Sequence, residues 1–254
     1  MKIGIIGVGN IGKTLALKLG AAGHDIKVAN SRGPDTISED VLAGGARAVT
    51  TREAVVDVDV VILSIPFGAI PGLAAVLKDV GDDVVVIDTS NYYPQRDGRI
   101  EAVDAGMVES LWVTAQLGRP VVKSWNAVLS ASLINKGQPA GSADRIALPV
   151  AADDDTARRV GLQLVEETGF DAVDAGTLAG SWRQQPGAPA YCTDLTRDEL
   201  TTALAMADVS LLPGRRDAAI AQITKRFSDG GADDVDLSVL NRSLYIDAPL
   251  SKQT

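Results

Sequence analysis

The loop Gly7-Val8-Gly9-Asn10-Ile11-Gly12 follows the apolar run Lys2-Ile3-Gly4-Ile5-Ile6 and opens a segment with helical apolar spacing. No other feature constrains the chain as much. A second apolar run, Ile26-Lys27-Val28-Ala29, comes about 20 residues later, so the order is strand, loop, helix, strand. In that setting the three glycines do different mechanical jobs. Gly7 takes a backbone angle that other residues resist, Gly9 lets a pyrophosphate approach the main chain, and Gly12 lets helix and strand pack closely. The helix that begins near Asn10 points its free amides and positive dipole end at that pyrophosphate. Gly7, Val8, Gly9, Asn10, Ile11 and Gly12 are therefore the first expected cofactor-binding residues.

The end of the second strand selects the dinucleotide. A carboxylate there would accept from the ribose 2′-hydroxyl of NAD and repel the 2′-phosphate of NADP. The chain has none before Asp35 and offers Asn30, Ser31 and Arg32 instead, two neutral hydrogen-bonding groups and a guanidinium suited to a phosphate. NADP(H) is the expected cofactor. The competing reading makes Asn30 to Pro34 a polar turn and nothing more.

The chain has 254 residues and a formal net charge of -9. That length holds one large domain or two modest ones. The acidity argues against a nucleic-acid partner, which would need a basic face. One cysteine, Cys192, excludes an internal disulfide framework and a cysteine-based metal cluster. Met1-Lys2 runs straight into the first strand, which leaves no room for a leader, and no stretch nears the roughly 18 apolar residues of a membrane span. A soluble, cytoplasmic homodimer is expected.

Further along, Ala46 to Val49 suggests a third strand and Thr50 to Glu53 a capping box opening a helix over 52–56. The near-continuous apolar run Val58 to Pro66 is expected to be a strand buried on both faces, followed by a helix over 69–77. Val84 to Asp88 is a further strand, 107–116 a helix, Pro120 to Lys123 a strand, and 127–134 a helix. Strands over 145–151 and 170–175 flank a helix that Asp153 to Thr156 would cap. Beyond Gly176 helices are expected over 198–208 and 213–227, with a second capping box at Thr196 to Glu199 and an acidic tail after Ser228. Strands alternating with helices make an α/β fold with a doubly wound parallel sheet, whose ligand lies beyond the carboxyl ends of the strands. Those ends gather Gly7 to Gly12, Asn30 to Arg32, Ser64-Ile65-Pro66-Phe67, Ser90-Asn91 and Ser124 to Asn126.

Familiar proton-transfer groups fit poorly. His24, the only histidine, lies before the second strand, at the wrong end of the sheet. Tyr92, Tyr93, Tyr191 and Tyr245 have no lysine four positions on, which disfavours short-chain dehydrogenase chemistry. Cys192 has no histidine near it in sequence, and Asp82-Asp83 and Asp233-Asp234 are better explained as solvated loop charges than as metal ligands. Lys123 and Asn126 stand at the mouth of a strand and are the candidate catalytic residues, against a plain strand end and a helix cap. Trp182 to Gln185 could line an acceptor pocket or simply pack. A cofactor platform without an acid-base dyad suits hydride transfer to an acceptor that needs chiefly stacking, orientation and water exclusion.

Ile3 to Gly12, Asn30-Ser31-Arg32, Val61 to Pro66, Ile87 to Asn91, Val121 to Asn126 and Val173 to Gly176, taken in order, resemble the NADPH-dependent coenzyme F420 reductases, a family whose domain also occurs in the cytoplasmic part of ferric reductases. The resemblance covers most of residues 1–180. It implies a Rossmann-type NADP-binding domain over 1–180 and a small helical region over 181–254 that serves the acceptor site or a dimer contact. It further implies that Ser31 and Arg32 hold the 2′-phosphate, that Ser64, Ile65, Pro66 and Phe67 run along the cofactor, and that Asn91 with Ser124 to Asn126 approaches the nicotinamide. Trp125 departs from the phenylalanine common in relatives. The activity implied is hydride transfer between NADPH and coenzyme F420 or a flavin, with no metal. The alternatives are a reductase of a small organic substrate, of the 3-hydroxyisobutyrate dehydrogenase or pyrroline-carboxylate reductase type, and a non-catalytic NADPH-binding redox sensor.

Overall fold

Apolar residues alternate between the two faces of the central strands. Ile3, Ile5, Val60 and Ile62 pack into one hydrophobic cluster with Val28, Trp125 and Leu148, while Ile6, Val61 and Leu63 pack into another with Phe67 and Trp112. This is the two-residue period of a strand covered on both sides. Each of these aliphatic side chains, fully buried, contributes about 1.5–3 kcal/mol of transfer free energy. The structure is a computed structural model that describes residues 1–228 and 236–246.

The strands are β1 (Lys2–Ile6), β2 (Asp25–Ala29), β3 (Arg47–Ala48), β4 (Val60–Leu63), β5 (Val85–Asp88) and β6 (Val122–Lys123). They form one parallel sheet in the order β3-β2-β1-β4-β5-β6. The strand order reverses between β1 and β4, and a crevice opens there beyond the carboxyl ends, where ligands of such sheets bind. The fold is a Rossmann-type α/β sheet with a helical C-terminal part, as expected.

Two further strands, β7 (Ala147–Val150) and β8 (Asp171–Asp174), do not join that sheet. They pair in parallel with each other, and an antiparallel bridge between Lys123 and Ala151 ties them to β6, with N to O distances of 2.8 and 3.0 Å. The helix Asp155–Glu167 crosses between them, capped by Asp154, whose carboxylate accepts from the Ala157 amide at 2.7 Å. The expected helix over 69–77 is a 3-10 segment, Phe67–Leu73, that becomes α-helical only over Ala74–Leu77, with Pro71 inside it lacking an amide to donate. The segment 52–56 is likewise a 3-10 turn, Glu53–Val55, although Thr50 and Glu53 make the reciprocal hydrogen bonds of the capping box. The helix expected over 127–134 begins only at Ser130, because the main chain of Ala127 is used to accept from the Cys192 amide at 3.0 Å.

The C-terminal part is anchored on the sheet domain by Ala127, Ala188, Tyr191, Cys192, Leu212 and Tyr245, which form a separate apolar cluster. Helix Leu237–Tyr245 ties down the loop before it: Asn241 donates to the carbonyl of Cys192 at 3.1 Å, and the Arg242 guanidinium donates to those of Thr193 and Asp194 at 2.6 and 2.5 Å. Among the described residues no helix is long and apolar enough to cross a membrane. Asp233-Asp234 and most of the acidic tail lie outside the described residues.

Candidate cofactor and acceptor cleft

Helix Asn10–Ala21 starts at Gly9 with no side-chain cap, and its first internal hydrogen bond runs from the Lys13 amide to the Gly9 carbonyl at 2.8 Å. The amides of Asn10, Ile11 and Gly12 are thus left without a helical acceptor, directed beyond the carboxyl ends of β1 and β4. Gly7 sits at φ 101°, and a β-carbon on it would fall 2.1 Å from the Ser64 carbonyl oxygen. A β-carbon on Gly12 would fall 1.9 Å from the Gly7 oxygen, whereas one on Gly9 would meet nothing within 4 Å. The outer two glycines let the chain pack on itself. Gly9 faces open space, and such a cradle of free amides fits a pyrophosphate.

Past β2, the side chain of Asn30 organises the turn: its oxygen accepts from the Arg32 amide at 2.9 Å and its amide donates to Thr36 at 2.9 Å. Ser31 and Arg32 project from that turn and are exposed. Among the described residues the Arg32 guanidinium has no protein partner, and its five donors fit a phosphate brought to the turn. Asn30 therefore shapes the site, and Ser31 and Arg32 are the groups left to touch a ligand.

From Gly9, Asn10 and Ile11 a cleft of about 400 Å³ runs past Ser64, Ile65 and Pro66 to a far wall containing Asn91, Tyr93, Trp125 and Tyr191. Phe67, expected along the cofactor, turns the other way. It is fully buried, its ring 4.6 Å from that of Trp112 and 5.6 Å from that of Tyr92. Lys123 is also absent from the cleft. With no exposure at all, its ammonium donates to Asp88 Oδ2 at 2.8 Å and to the Ser90 carbonyl, while the other Asp88 oxygen accepts from the Ser90 amide and hydroxyl at 2.9 and 2.6 Å. That ion pair leaves Lys123 unable to reach a substrate, so it acts by holding the ends of β5 and β6 together.

Asn126 lines the cleft, but its carboxamide is committed. It donates to Asn91 Oδ1 at 3.0 Å and to the Gln184 carbonyl at 2.8 Å, and it accepts from Gln184 Nε2 at 2.9 Å. Asn91 answers by donating to the Asn126 carbonyl at 2.9 Å. The two asparagines are fixed as one unit, and Asn91, the less buried partner and a lining residue of the cleft, keeps one N–H uncommitted. Asn126 is a positioning residue.

The domain described as NADP oxidoreductase, coenzyme F420-dependent, matches residues 2–92. Hypothetical protein SMa0349 of Sinorhizobium meliloti, known as a crystal structure, is 32% identical with a TM-score of 0.67, over 78% of this chain and 96% of that one. This chain belongs to the coenzyme F420-dependent NADP oxidoreductase family. A structure described as an F420-dependent NADP reductase from Arthrobacter sp. FB24 shares the fold at 18% identity and a TM-score of 0.56, covering 92% of this chain and 96% of that one. The Escherichia coli (strain K12) protein YjhV is 52% identical over 56 residues, a stretch that is 22% of this chain and 41% of that protein. The chain thus spans about two fifths of that relative.

In this family member the far wall of the cleft holds residues that the sequence did not single out. Tyr93 follows β5 and Tyr191 comes from the C-terminal part, and their hydroxyl oxygens lie 2.7 Å apart. Burial pushes the pKa of both phenols up, so both stay protonated at neutral pH. Arg96 stands at the cleft edge, its guanidinium 5.3 Å from the Tyr93 ring centroid and donating to the Asn91 carbonyl at 2.6 Å. The signal for Tyr93 was its place two residues beyond Asn91, at a strand end already marked. Tyr191 had no comparable signal.

Trp125 and Cys192 both adopt left-handed backbone, at φ 53° and 54°, and both line the cleft. The Trp125 indole donates to Thr168 at 3.2 Å, which fixes its ring. Trp182 and Gln185 line a second, smaller cavity of about 120 Å³ beside Tyr92 and the buried Glu109. Desolvation holds the Glu109 pKa above its ordinary value, the Lys123 charge opposing it. His24 is also more than a turn residue: its ring contacts the Met1 amino group at 3.0 Å and Glu167 at 2.6 Å, at the end of the sheet away from the cleft.

Proposed function

We propose that this chain transfers hydride between NADPH and a flavin-like ring, with coenzyme F420 the favoured acceptor. The observation that carries the reading is the lining of the cleft. Among the described residues around it, Arg96 is the only charged one, and the rest are amides, hydroxyls, a thiol and apolar groups. Such a wall stacks and orients a ring and keeps water out, and it offers no ionised acid or base. Family membership and the F420-dependent description of a protein of the same fold support the choice of acceptor.

NADPH, when bound, supplies the hydride from its nicotinamide ring. The protein does the rest by position. The amides of Asn10 to Gly12 receive the pyrophosphate, Arg32 and Ser31 the 2′-phosphate, and the rim Ser64 to Pro66 lies along the cofactor. The Asn91–Asn126 unit, held from behind by Gln184, gives the nicotinamide end a rigid polar edge.

An acceptor screen tests this. NADPH absorbance is followed with F420, FMN, FAD and a ferric chelate in turn, at fixed enzyme concentration. F420 is expected to give the fastest loss of NADPH. Binding of NADPH without turnover of any acceptor would leave a sensor, and turnover of a small imine or carbonyl alone would leave a reductase of organic substrates.

A further inference from the structure

Two phenols carry two hydrogens, and the one hydrogen bond between Tyr93 and Tyr191 uses one of them. The Tyr191 hydroxyl also pairs with the Cys192 thiol, which brings its own hydrogen to that contact, whereas among the described residues the Tyr93 hydroxyl makes no other hydrogen bond; both tyrosines line the cleft. One O–H is therefore left for whatever occupies the cleft. Tyr93 is the less buried of the two, so Tyr191 donating to Tyr93 frees the Tyr93 hydrogen toward the open side.

Both rings are held from behind. The Tyr93 amide donates to Asp97 Oδ2 at 2.9 Å, and the Arg96 guanidinium covers its ring. Tyr191 is fixed by its own amide, which donates to the Ala188 carbonyl at 2.9 Å, and by the strained residue after it, Cys192, whose carbonyl accepts from Asn241. A donor immobilised in this way costs little reorganisation when charge appears opposite it.

We propose that Tyr93 is a catalytic hydrogen-bond donor, its O–H aimed at the ring nitrogen or oxygen of a flavin or deazaflavin that takes up charge, with Tyr191 as the residue that orients it. The assignment rests on the hydride-transfer reading above. In that reaction two electrons and one hydrogen leave the nicotinamide carbon and arrive at an acceptor carbon. The nicotinamide gains one positive charge and the acceptor one negative charge, spread over its ring heteroatoms. Tyr93 strengthens its hydrogen bond to those atoms as the charge grows and keeps its proton, in line with phenols that burial keeps neutral.

Single-turnover hydride transfer from NADPH to F420 and to FMN is to be measured in the wild type and in Tyr93→Phe and Tyr191→Phe, beside NADPH fluorescence titrations and the absorbance shift of oxidised FMN on binding. Tyr93→Phe is expected to slow transfer about 10- to 100-fold, the kinetic equivalent of one lost hydrogen bond to a developing charge. The same variant should diminish the FMN shift and leave the Kd for NADPH within about twofold, since the change is remote from the phosphate sites. Tyr191→Phe should have a smaller effect on the same readouts, about 3- to 10-fold, because the donor remains and only its aim is lost. Wild-type turnover that Tyr93→Phe retains in full, with an unchanged FMN shift, overturns the role of Tyr93 and leaves the hydride-transfer reading standing. A wild type that binds NADPH and reduces none of the ring acceptors overturns that reading, and the role of Tyr93 with it.

Discussion

Arg32 and Lys123 are both cations at carboxyl ends of strands in the same sheet, and sequence position alone nominates both for a ligand. Arg32 stands exposed on a turn that Asn30 folds for it, without a partner among the described residues. Lys123 is sealed in the interior, with Asp88 and the Ser90 carbonyl taking its hydrogens. The strand end brings a polar group to the site, and the number of donors still uncommitted decides whether it can act there. The same contrast separates Asn91, with an N–H to spare, from Asn126, whose carboxamide is shared between Asn91 and Gln184.

The comparison is broken most violently by removing each charge. Lys123→Met should strand the Asp88 carboxylate in the core and cost about 3–5 kcal/mol of stability in chemical denaturation, as removing one partner of a buried pair does. Arg32→Met should leave stability within about 0.5 kcal/mol, since the side chain is exposed. Equal losses in the two would show that burial does not distinguish these cations.

Ligand binding should reverse the order. Arg32→Ala should weaken NADPH by about 1–3 kcal/mol, read by fluorescence titration, and leave NADH almost untouched. Equal weakening of both dinucleotides would remove Arg32 from the 2′-phosphate.

Two glycines of one loop sharpen the contrast further. Gly12→Ala puts a β-carbon 1.9 Å from the Gly7 carbonyl oxygen, so the loop must shift, and both stability and NADPH affinity should fall. Gly9→Ala has open space around its β-carbon. It should keep the wild-type melting temperature within about 2 °C and lose NADPH affinity alone, about tenfold or more, as a methyl group takes the place meant for the pyrophosphate.

The smallest effect concerns pH. The Glu109 carboxyl has a folded-state pKa raised above its ordinary 4.5, with desolvation the largest cause. For a group raised in the folded state, the stabilising contribution is complete below the unfolded value and is lost as pH climbs through the window up to the folded value. Glu109→Gln, which can still accept from the Tyr92 amide, should flatten the decline of melting temperature above pH 4.5. A decline as steep in the variant as in the wild type would assign the pH dependence to other groups.

What was legible in the sequence followed the range of the interaction. The glycine loop, the turn after β2 and both capping boxes depend on neighbours within a few residues, and the sequence located them. Lys123 was misjudged because its fate depends on Asp88, 35 positions away, and Phe67 because the chain enters a 3-10 turn there and carries its ring to the opposite face. The separate pairing of β7 and β8 escaped for a related reason: an apolar strand looks the same in either sheet. The Tyr93–Tyr191 contact, across 98 positions, depends on how the C-terminal part docks, and no local pattern encodes it.

The clamp of Asn241 and Arg242 on residues 192–194 has a consequence for the order in which the protein becomes competent. A chain leaves the ribosome N-terminus first, and every strand of the six-stranded sheet has emerged by Lys123, more than a hundred residues ahead of that clamp. The nascent protein has the parts of its dinucleotide platform well before the segment that steadies Tyr191 has been made. Biosynthesis therefore supplies the two walls of the cleft in sequence, first the one that would hold the reductant and last the one that would face the molecule to be reduced.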